Sequence, residues 1–142
     1  MEKILVSACL LGTPCRYDGK SKPVSGVIEL KSKYELIPVC AEVLGGLPTP
    51  RIGAEIVGER VLRSDGVDVT KEYNTGANAV LEIAKENGCK IAILKSKSPS
   101  CGKNAVYDGT FTKTLIQGNG ILCELLMKNG ITVFDETEID KL

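Results

Sequence analysis

Four short aliphatic runs constrain the fold of this chain more than any other feature of its sequence. Each run has about the length of a buried strand and is rich in Ile, Leu and Val, which is typical of strands covered on both faces. Because helical patterns lie between the runs, the sequence predicts a parallel sheet with helices on its two faces. The four predicted strands are residues 3–8, 35–39, 90–94 and 131–134.

Three helical patterns complete the alternation of strands and helices. The clearest covers residues 70–87, where Thr70 is suited to cap the N-terminus and Gly88 to end the helix. A second covers residues 120–129, and a weaker one covers residues 25–32. Right-handed crossovers between these elements predict an α/β fold with a doubly wound, Rossmann-like sheet of about four strands in the order 2-1-3-4.

Residues 54–69 interrupt this alternation. Turn pairs at 58–59 and 65–66 separate three short apolar stretches there, which predicts a small β-hairpin excursion beside the main sheet. The chain has 142 residues, 43% of them hydrophobic, and we find no repeat or linker in it. Residues 1–142 are therefore expected to form a single domain.

The composition excludes several classes of function. Eighteen basic and eighteen acidic residues give a formal net charge of zero, so neither a nucleic-acid nor a membrane partner is expected. We find no signal peptide and no segment of membrane-spanning length, so we expect a cytoplasmic location. The absence of histidine excludes Ser-His and Cys-His nucleophiles and histidine zinc sites. Six cysteines in a reducing compartment suit metal ligation or thiol chemistry better than disulfides.

Three cysteines follow three different predicted strands. Cys9 comes after the first strand, Cys40 after the second, and Cys101 lies in the loop after the third. In a doubly wound sheet the carboxyl ends of the strands form one ligand-binding edge, so we expect the three thiols to converge there. Glycine and proline in all three loops suit a backbone held in a fixed shape around a ligand.

These thiols favour an iron–sulfur cluster over zinc without deciding between them. Structural zinc normally takes four ligands, often in closely spaced pairs, and the chain has no C-x-x-C pair. Three thiolates on a four-iron cluster leave one iron open as a Lewis acid for a soft sulfur ligand. Cys15 lies in the first loop and has three open interpretations: a fourth ligand, a redox partner of Cys9 or an inert thiol. We do not include it in the predicted site. Cys89 and Cys123 are predicted to be packing residues.

Four motifs make the chain resemble the thiouracil desulfidase family. In chain order they are VSACLLG at 6–12, PVCAE at 38–42, GGLPTPR at 45–51 and SPSCG at 98–102. The resemblance implies a [4Fe-4S] cluster with Cys9, Cys40 and Cys101 as its ligands, and an enzyme that hydrolyses a small thiolated compound such as 2-thiouracil without redox chemistry and releases sulfide. Such a cluster, with one open iron, is easily lost in air.

The resemblance also implies that Glu42 and Ser98 are catalytic. A carboxylate can take a proton from an attacking water, and a hydroxyl can hydrogen-bond the substrate or the developing charge. The family has proline after the second cysteine, where this chain has Ala41, but it keeps the glutamate. Three basic residues of the predicted loops are further candidates to face a ligand oxygen or a negatively charged cluster: Arg16, Arg51 and Lys97. Basic side chains are, however, most often only solvated.

Two alternatives remain open at this point. A cysteine-thiolate phosphatase or arsenate reductase also has a cysteine after the first strand, but it needs an arginine six positions later, where this chain has Cys15 and then Arg16. A non-enzymatic zinc or cluster-binding protein would need the cysteines alone. The sequence selects neither the physiological substrate nor the oligomeric state.

Overall fold

The computed structural model describes residues 1–142, which form eight strands, four α-helices and three 3-10 turns. The strands are β1 (Glu2–Ser7), β2 (Tyr34–Val39), β3 (Ala54–Val57), β4 (Arg60–Arg63), β5 (Ile91–Leu94), β6 (Ala105–Tyr107), β7 (Leu115–Gln117) and β8 (Thr132–Asp135). The α-helices are α1 (Ser25–Ile28), α2 (Ala41–Leu44), α3 (Thr70–Asn87) and α4 (Ile121–Lys128), and the 3-10 turns are Ala8–Leu11, Glu29–Ser32 and Ile139–Lys141.

A four-stranded parallel sheet in the order β2-β1-β5-β8 is the centre of the fold. β1 pairs with β2 along its whole length, from Glu2 opposite Tyr34 to Ser7 opposite Val39. On its other side β1 pairs with β5, which in turn pairs with β8. In the numbering of the predicted strands this order is 2-1-3-4, so both the α/β fold class and the strand order are confirmed.

The sheet separates two hydrophobic cores. Leu5 of β1 and Leu94 of β5 pack into one core with residues of α3 and α4. Ile4 and Val6 of β1 and Ile93 of β5 point to the opposite face and pack with Val27 of α1 and the first 3-10 turn. This alternation follows from the two-residue period of a strand. Helices therefore cover both faces of the sheet, and the loops at the strand ends are left to form a site.

The predicted 70–87 helix and the 54–69 hairpin excursion are confirmed as α3 and as the antiparallel pair β3 and β4. The prediction that Thr70 caps this helix was wrong, because Val69 is the N-cap residue. The Thr70 side chain instead accepts a hydrogen bond from the backbone N–H of Val61 at 2.8 Å. Thr70 is thus used to join α3 to β4. No helix is both long enough and apolar enough to cross a membrane.

The sequence analysis missed the short helix α2 and the antiparallel pair β6 and β7. Each strand of this pair has three residues, which is too short for an alternating pattern to be recognised. The loop between them, residues 108–114, begins with Asp108 and Gly109, a pair typical of hairpin turns and the one local signal that could have revealed it. The predicted helix at 25–32 is divided between α1 and a 3-10 turn.

Candidate active site

A cavity of about 620 Å³ lies where the loops after β1, β2 and β5 meet. Cys9, Cys40 and Cys101 all line it, and so do Glu42 and Ser98. The structure therefore brings together all five residues that were predicted for the site. A larger, open depression of about 820 Å³ lies elsewhere, around the start of β1 and β2, and has no cysteine in its wall.

The surroundings of Cys101 are polar, and the residue itself is half-buried. The Ser7 hydroxyl, 3% exposed, donates a hydrogen bond to the Cys101 Sγ at 3.4 Å and accepts one from the backbone N–H of Lys95 at 2.9 Å. Since Lys95 N–H can only donate, the single proton of the Ser7 hydroxyl is left for the sulfur. Burial raises the pKa of the Cys101 thiol to about 12, so the free thiol is protonated at neutral pH.

Ser98 holds the loop that carries Cys101. Its Oγ accepts hydrogen bonds from the backbone N–H groups of Ser100 and Cys101, at 3.0 and 3.2 Å. These two bonds use the lone pairs of the oxygen, and the hydroxyl proton stays free to be donated to another group. Because Ser98 lines the cavity, that group can be a ligand.

Cys15 is also part of the cavity wall, although the sequence analysis left it outside the site. The Cys40 Sγ lies 3.8 Å from the Cys15 carbonyl oxygen. The pKa of Cys40 is raised, first by the hydrogen bond between its thiol and that of Cys15 and then by burial. Cys89 and Cys123 are buried in the core beside α3 and α4, which agrees with a packing role for both.

Glu42 is held by two donors from outside its own helix. Tyr73 of α3 donates its hydroxyl to Oε1 of Glu42, and Arg51 donates to Oε2 at 2.9 Å. The Arg51 side chain is 5% exposed and the Glu42 side chain 17%. Burial lowers the pKa of Arg51, but the charge and hydrogen bond of Glu42 outweigh it, so the net pKa is raised and the guanidinium stays charged. Burial, followed by the charge of Glu42, raises the pKa of Tyr73 and keeps its hydroxyl protonated.

Arg51 does not face the cavity, contrary to our expectation that it would line the pocket against a ligand. Besides Glu42, its guanidinium donates to the carbonyl oxygens of Cys15 at 3.0 Å and of Pro48 at 3.1 Å. One buried side chain therefore connects the loops after β1 and β2. The spacing of Arg51 from Glu42 gave no signal of this pairing in the sequence.

Five basic side chains do line the cavity, two of which are neutralised by carboxylates. Arg16 lies 3.7 Å from Asp18, and Lys95 lies 3.1 Å from Glu136. The other three form no salt bridge, so the wall keeps a positive charge that favours an anionic or oxygen-bearing ligand. The five are Arg16, Lys22, Lys95, Lys97 and Lys113, of which the sequence analysis identified Arg16 and Lys97.

The donor set fits an iron–sulfur cluster better than a single metal ion. No group of three or more cysteine, aspartate or glutamate side chains is arranged to hold one ion. A four-iron cluster instead takes each cysteine on a different iron, so its ligands surround a space rather than one point. Cys9, Cys40 and Cys101 reach one cavity from three loops, which is the arrangement that such a cluster needs.

Comparisons with known proteins identify a family and two similar proteins. The family model for 2-thiouracil desulfurase matches residues 4–138. The uncharacterized protein YbbK of Bacillus subtilis (strain 168) is 38% identical over 149 residues, which cover 98% of this chain and 99% of that protein. The solved structure of the [4Fe-4S]-dependent thiouracil desulfidase TudS matches with a TM-score of 0.96 at 44% identity, covering 100% of this chain and 95% of that one.

Proposed function

The chain belongs to the 2-thiouracil desulfurase family, and from that premise we propose that it is a [4Fe-4S]-dependent desulfidase that hydrolyses a small thiolated compound such as 2-thiouracil. Cys9, Cys40 and Cys101 are proposed as the cluster ligands, and Glu42 and Ser98 as the catalytic side chains. The observation that carries the proposal is the presence of all five residues in the wall of one cavity, in a chain 44% identical to TudS.

The proposed reaction needs no external oxidant or reductant. Water adds to the carbon of the C=S group, the C–S bond breaks, and the products are the corresponding C=O compound and hydrogen sulfide. When bound, a cluster with three protein ligands supplies one open iron that acts as a Lewis acid toward the substrate sulfur. The protein must then position the water, accept its proton and stabilise the charge that develops on the substrate.

Glu42 is suited to accept the proton of the attacking water. Tyr73 and Arg51 each bind one of its carboxylate oxygens, which fixes the carboxylate while leaving lone pairs on both oxygens. Ser98 is suited to donate, since its Oγ already accepts two backbone N–H groups and its proton is free. The unpaired lysines Lys22 and Lys97 can bind a substrate oxygen at the cavity wall.

The experiment is anaerobic reconstitution with iron and sulfide, followed by counting of both per chain and incubation with 2-thiouracil. We expect about four irons, about four sulfides and formation of uracil. Replacing Cys9, Cys40 or Cys101 with serine should abolish cluster and turnover together. Replacing Glu42 or Ser98 with alanine should keep the cluster and slow turnover about 10²- to 10⁴-fold, the range for a general base or acid.

Cys89→Ala is the matched control, because Cys89 is a buried cysteine outside the cavity and its loss should affect neither cluster nor turnover. Cys15→Ser decides whether Cys15 belongs to the ligand set. A wild-type protein that holds only zinc and forms no uracil would overturn the proposal in favour of a metal carrier. Full turnover in Glu42→Ala would remove Glu42 as the base.

A further inference from the structure

The aromatic residues of this chain are concentrated in the wall of the cavity. The sequence contains four tyrosines and two phenylalanines. Four of these six line the cavity: Tyr17, Tyr73, Tyr107 and Phe111. The two main cores are by contrast built almost entirely from aliphatic side chains and cysteine. Of the four, Tyr73 is buried, at 2% exposed, and packs against Val61 and Val69. The other three, Tyr17, Tyr107 and Phe111, keep flat surface available to a ligand.

Phe111 is the aromatic residue whose position needs the most explanation. It lies in the 108–114 loop between β6 and β7, is 38% exposed and has a φ of +61°. A bulky side chain rarely adopts this left-handed conformation, since its Cβ is crowded there by the backbone. Hydrophobic burial does not account for it either, because more than a third of the side chain is exposed to the cavity and solvent.

Glu55 of β3 holds the loop in this conformation. Its Oε1 accepts hydrogen bonds from the backbone N–H groups of Gly109 at 3.0 Å and Phe111 at 3.2 Å, and the residue is only 8% exposed. Hydrogen bonds to an ionised carboxylate are stronger than neutral ones, so they can offset the strain of a left-handed residue. Gly109 lies so close to β3 that a Cβ there would be 2.7 Å from the carbonyl oxygen of Ile56.

We propose that Phe111, held by Glu55, is a substrate-specificity residue whose ring stacks on the flat face of an unsaturated thiolated ring. The inference rests on the proposed function and adds to it the residue that binds the face of the substrate ring, which small acyclic thioamides such as thioacetamide do not have. Stacking gains affinity for any base-like ring because every such ring has a π face, while an acyclic thioamide offers too little surface to stack.

The test compares Phe111→Ala, Phe111→Leu and Phe111→Tyr with the wild-type holoenzyme. Loss of a base-stacking ring should raise the KM for 2-thiouracil by about 5- to 150-fold with little change in kcat. Phe111→Leu keeps apolar volume but loses the flat face, so it should behave like Phe111→Ala, whereas Phe111→Tyr should restore the affinity. Turnover of thioacetamide should not change in any of the three.

Glu55 and Ile116 provide the remaining comparisons. Glu55→Ala should raise the KM as Phe111→Ala does, while Glu55→Gln keeps an acceptor oxygen for the two N–H groups and should have the smaller effect. Ile116 is 50% exposed on β7 of the same hairpin and does not line the cavity, so Ile116→Ala should leave KM unchanged. Iron content and melting temperature are measured for every variant to show that cluster and fold are retained.

Equilibrium dialysis with 2-thiouracil and with uracil separates this proposal from the proposed function. A wild-type protein that forms no uracil but binds either ring, with affinity lost in Phe111→Ala and Phe111→Leu, would support the stacking site and refute the desulfidase. Turnover by the wild type with unchanged KM and affinity in both variants would support the desulfidase and overturn the stacking site. Failure of the wild type to bind either ring would overturn the stacking site as well.

Discussion

Replacing Gly76 with alanine tests whether the contact between α3 and α2 positions Cys40 and Glu42 of the proposed site. A Cβ on Gly76 would lie 1.8 Å from the carbonyl oxygen of Ala41 and 3.1 Å from the backbone nitrogen of Gly45. Ordinary van der Waals contact of a Cβ begins at about 3.4 Å, so α2 must retreat by about 1.6 Å, the difference between the two Cβ–oxygen distances. The opposing atoms are backbone, which prevents relief by rotation of a side chain.

The expected loss of stability is about 2 kcal/mol. Overpacking of a close contact costs about 1–3 kcal/mol, and we take the upper value because the clash is with backbone. Alanine in a helix interior recovers about 1 kcal/mol relative to glycine. For a chain of this length each kcal/mol lowers the melting temperature by roughly 3–5 °C, so thermal unfolding followed by circular dichroism should show a decrease of about 6–10 °C.

The same substitution should reduce activity at temperatures where the protein is folded. Cys40 immediately precedes α2 and Glu42 lies in its first turn, so both move with the helix. A misplacement of about 1 Å can cost about 10²-fold in rate, and uracil formation should fall by that order. Asn78→Ala is the matched control, because Asn78 is exposed on the same helix. A Gly76→Ala protein with wild-type melting temperature and turnover would refute this reasoning.

Two further substitutions test single interactions. Ser7→Ala should keep the cluster but remove the hydrogen bond to the Cys101 sulfur, and since such bonds raise cluster potentials, an anaerobic redox titration should give a lower reduction potential than the wild type. Glu138→Gln removes a carboxylate whose pKa is lowered from 4.5 to about 2, chiefly by its hydrogen bond with Lys103. The contribution of this carboxylate to stability is complete above pH 4.5 and is lost as the pH falls toward 2. Urea titrations should therefore give a smaller difference in unfolding free energy between wild type and variant at pH 3 than at pH 7.

The main sheet could be predicted because its signals are local and repeated. The runs that form β1, β2, β5 and β8 are short, aliphatic and separated by helical patterns, and each of these facts is visible within a few residues. The pair β6 and β7 could not be recognised in this way, since a three-residue strand has no measurable period. Its loop is instead stabilised by Glu55, a residue of a different hairpin more than fifty positions earlier.

The candidate site could likewise be predicted only in part. The positions of Cys9, Cys40 and Cys101 at one edge followed from the order of the strands, because parallel strands place their carboxyl ends together. The partners of Glu42 could not be predicted, since Tyr73 lies 31 positions away in an otherwise regular helical pattern. In that pattern Tyr73 has the spacing of any residue on the buried face of the helix. Spacing alone does not distinguish a packed tyrosine from one that donates to a carboxylate.

The pairing of Arg51 with Glu42 changes the interpretation of this arginine. An arginine in a glycine- and proline-rich loop next to a predicted site suggests a group that binds the ligand. In the structure its buried guanidinium is already bound to Glu42 and to two carbonyl oxygens, so it has little left to offer a substrate. The positive charge available to a ligand therefore belongs to the three unpaired lysines of the cavity wall, Lys22, Lys97 and Lys113. We therefore expect Arg51 to affect the proposed reaction only through Glu42, because it fixes the carboxylate of the proposed base.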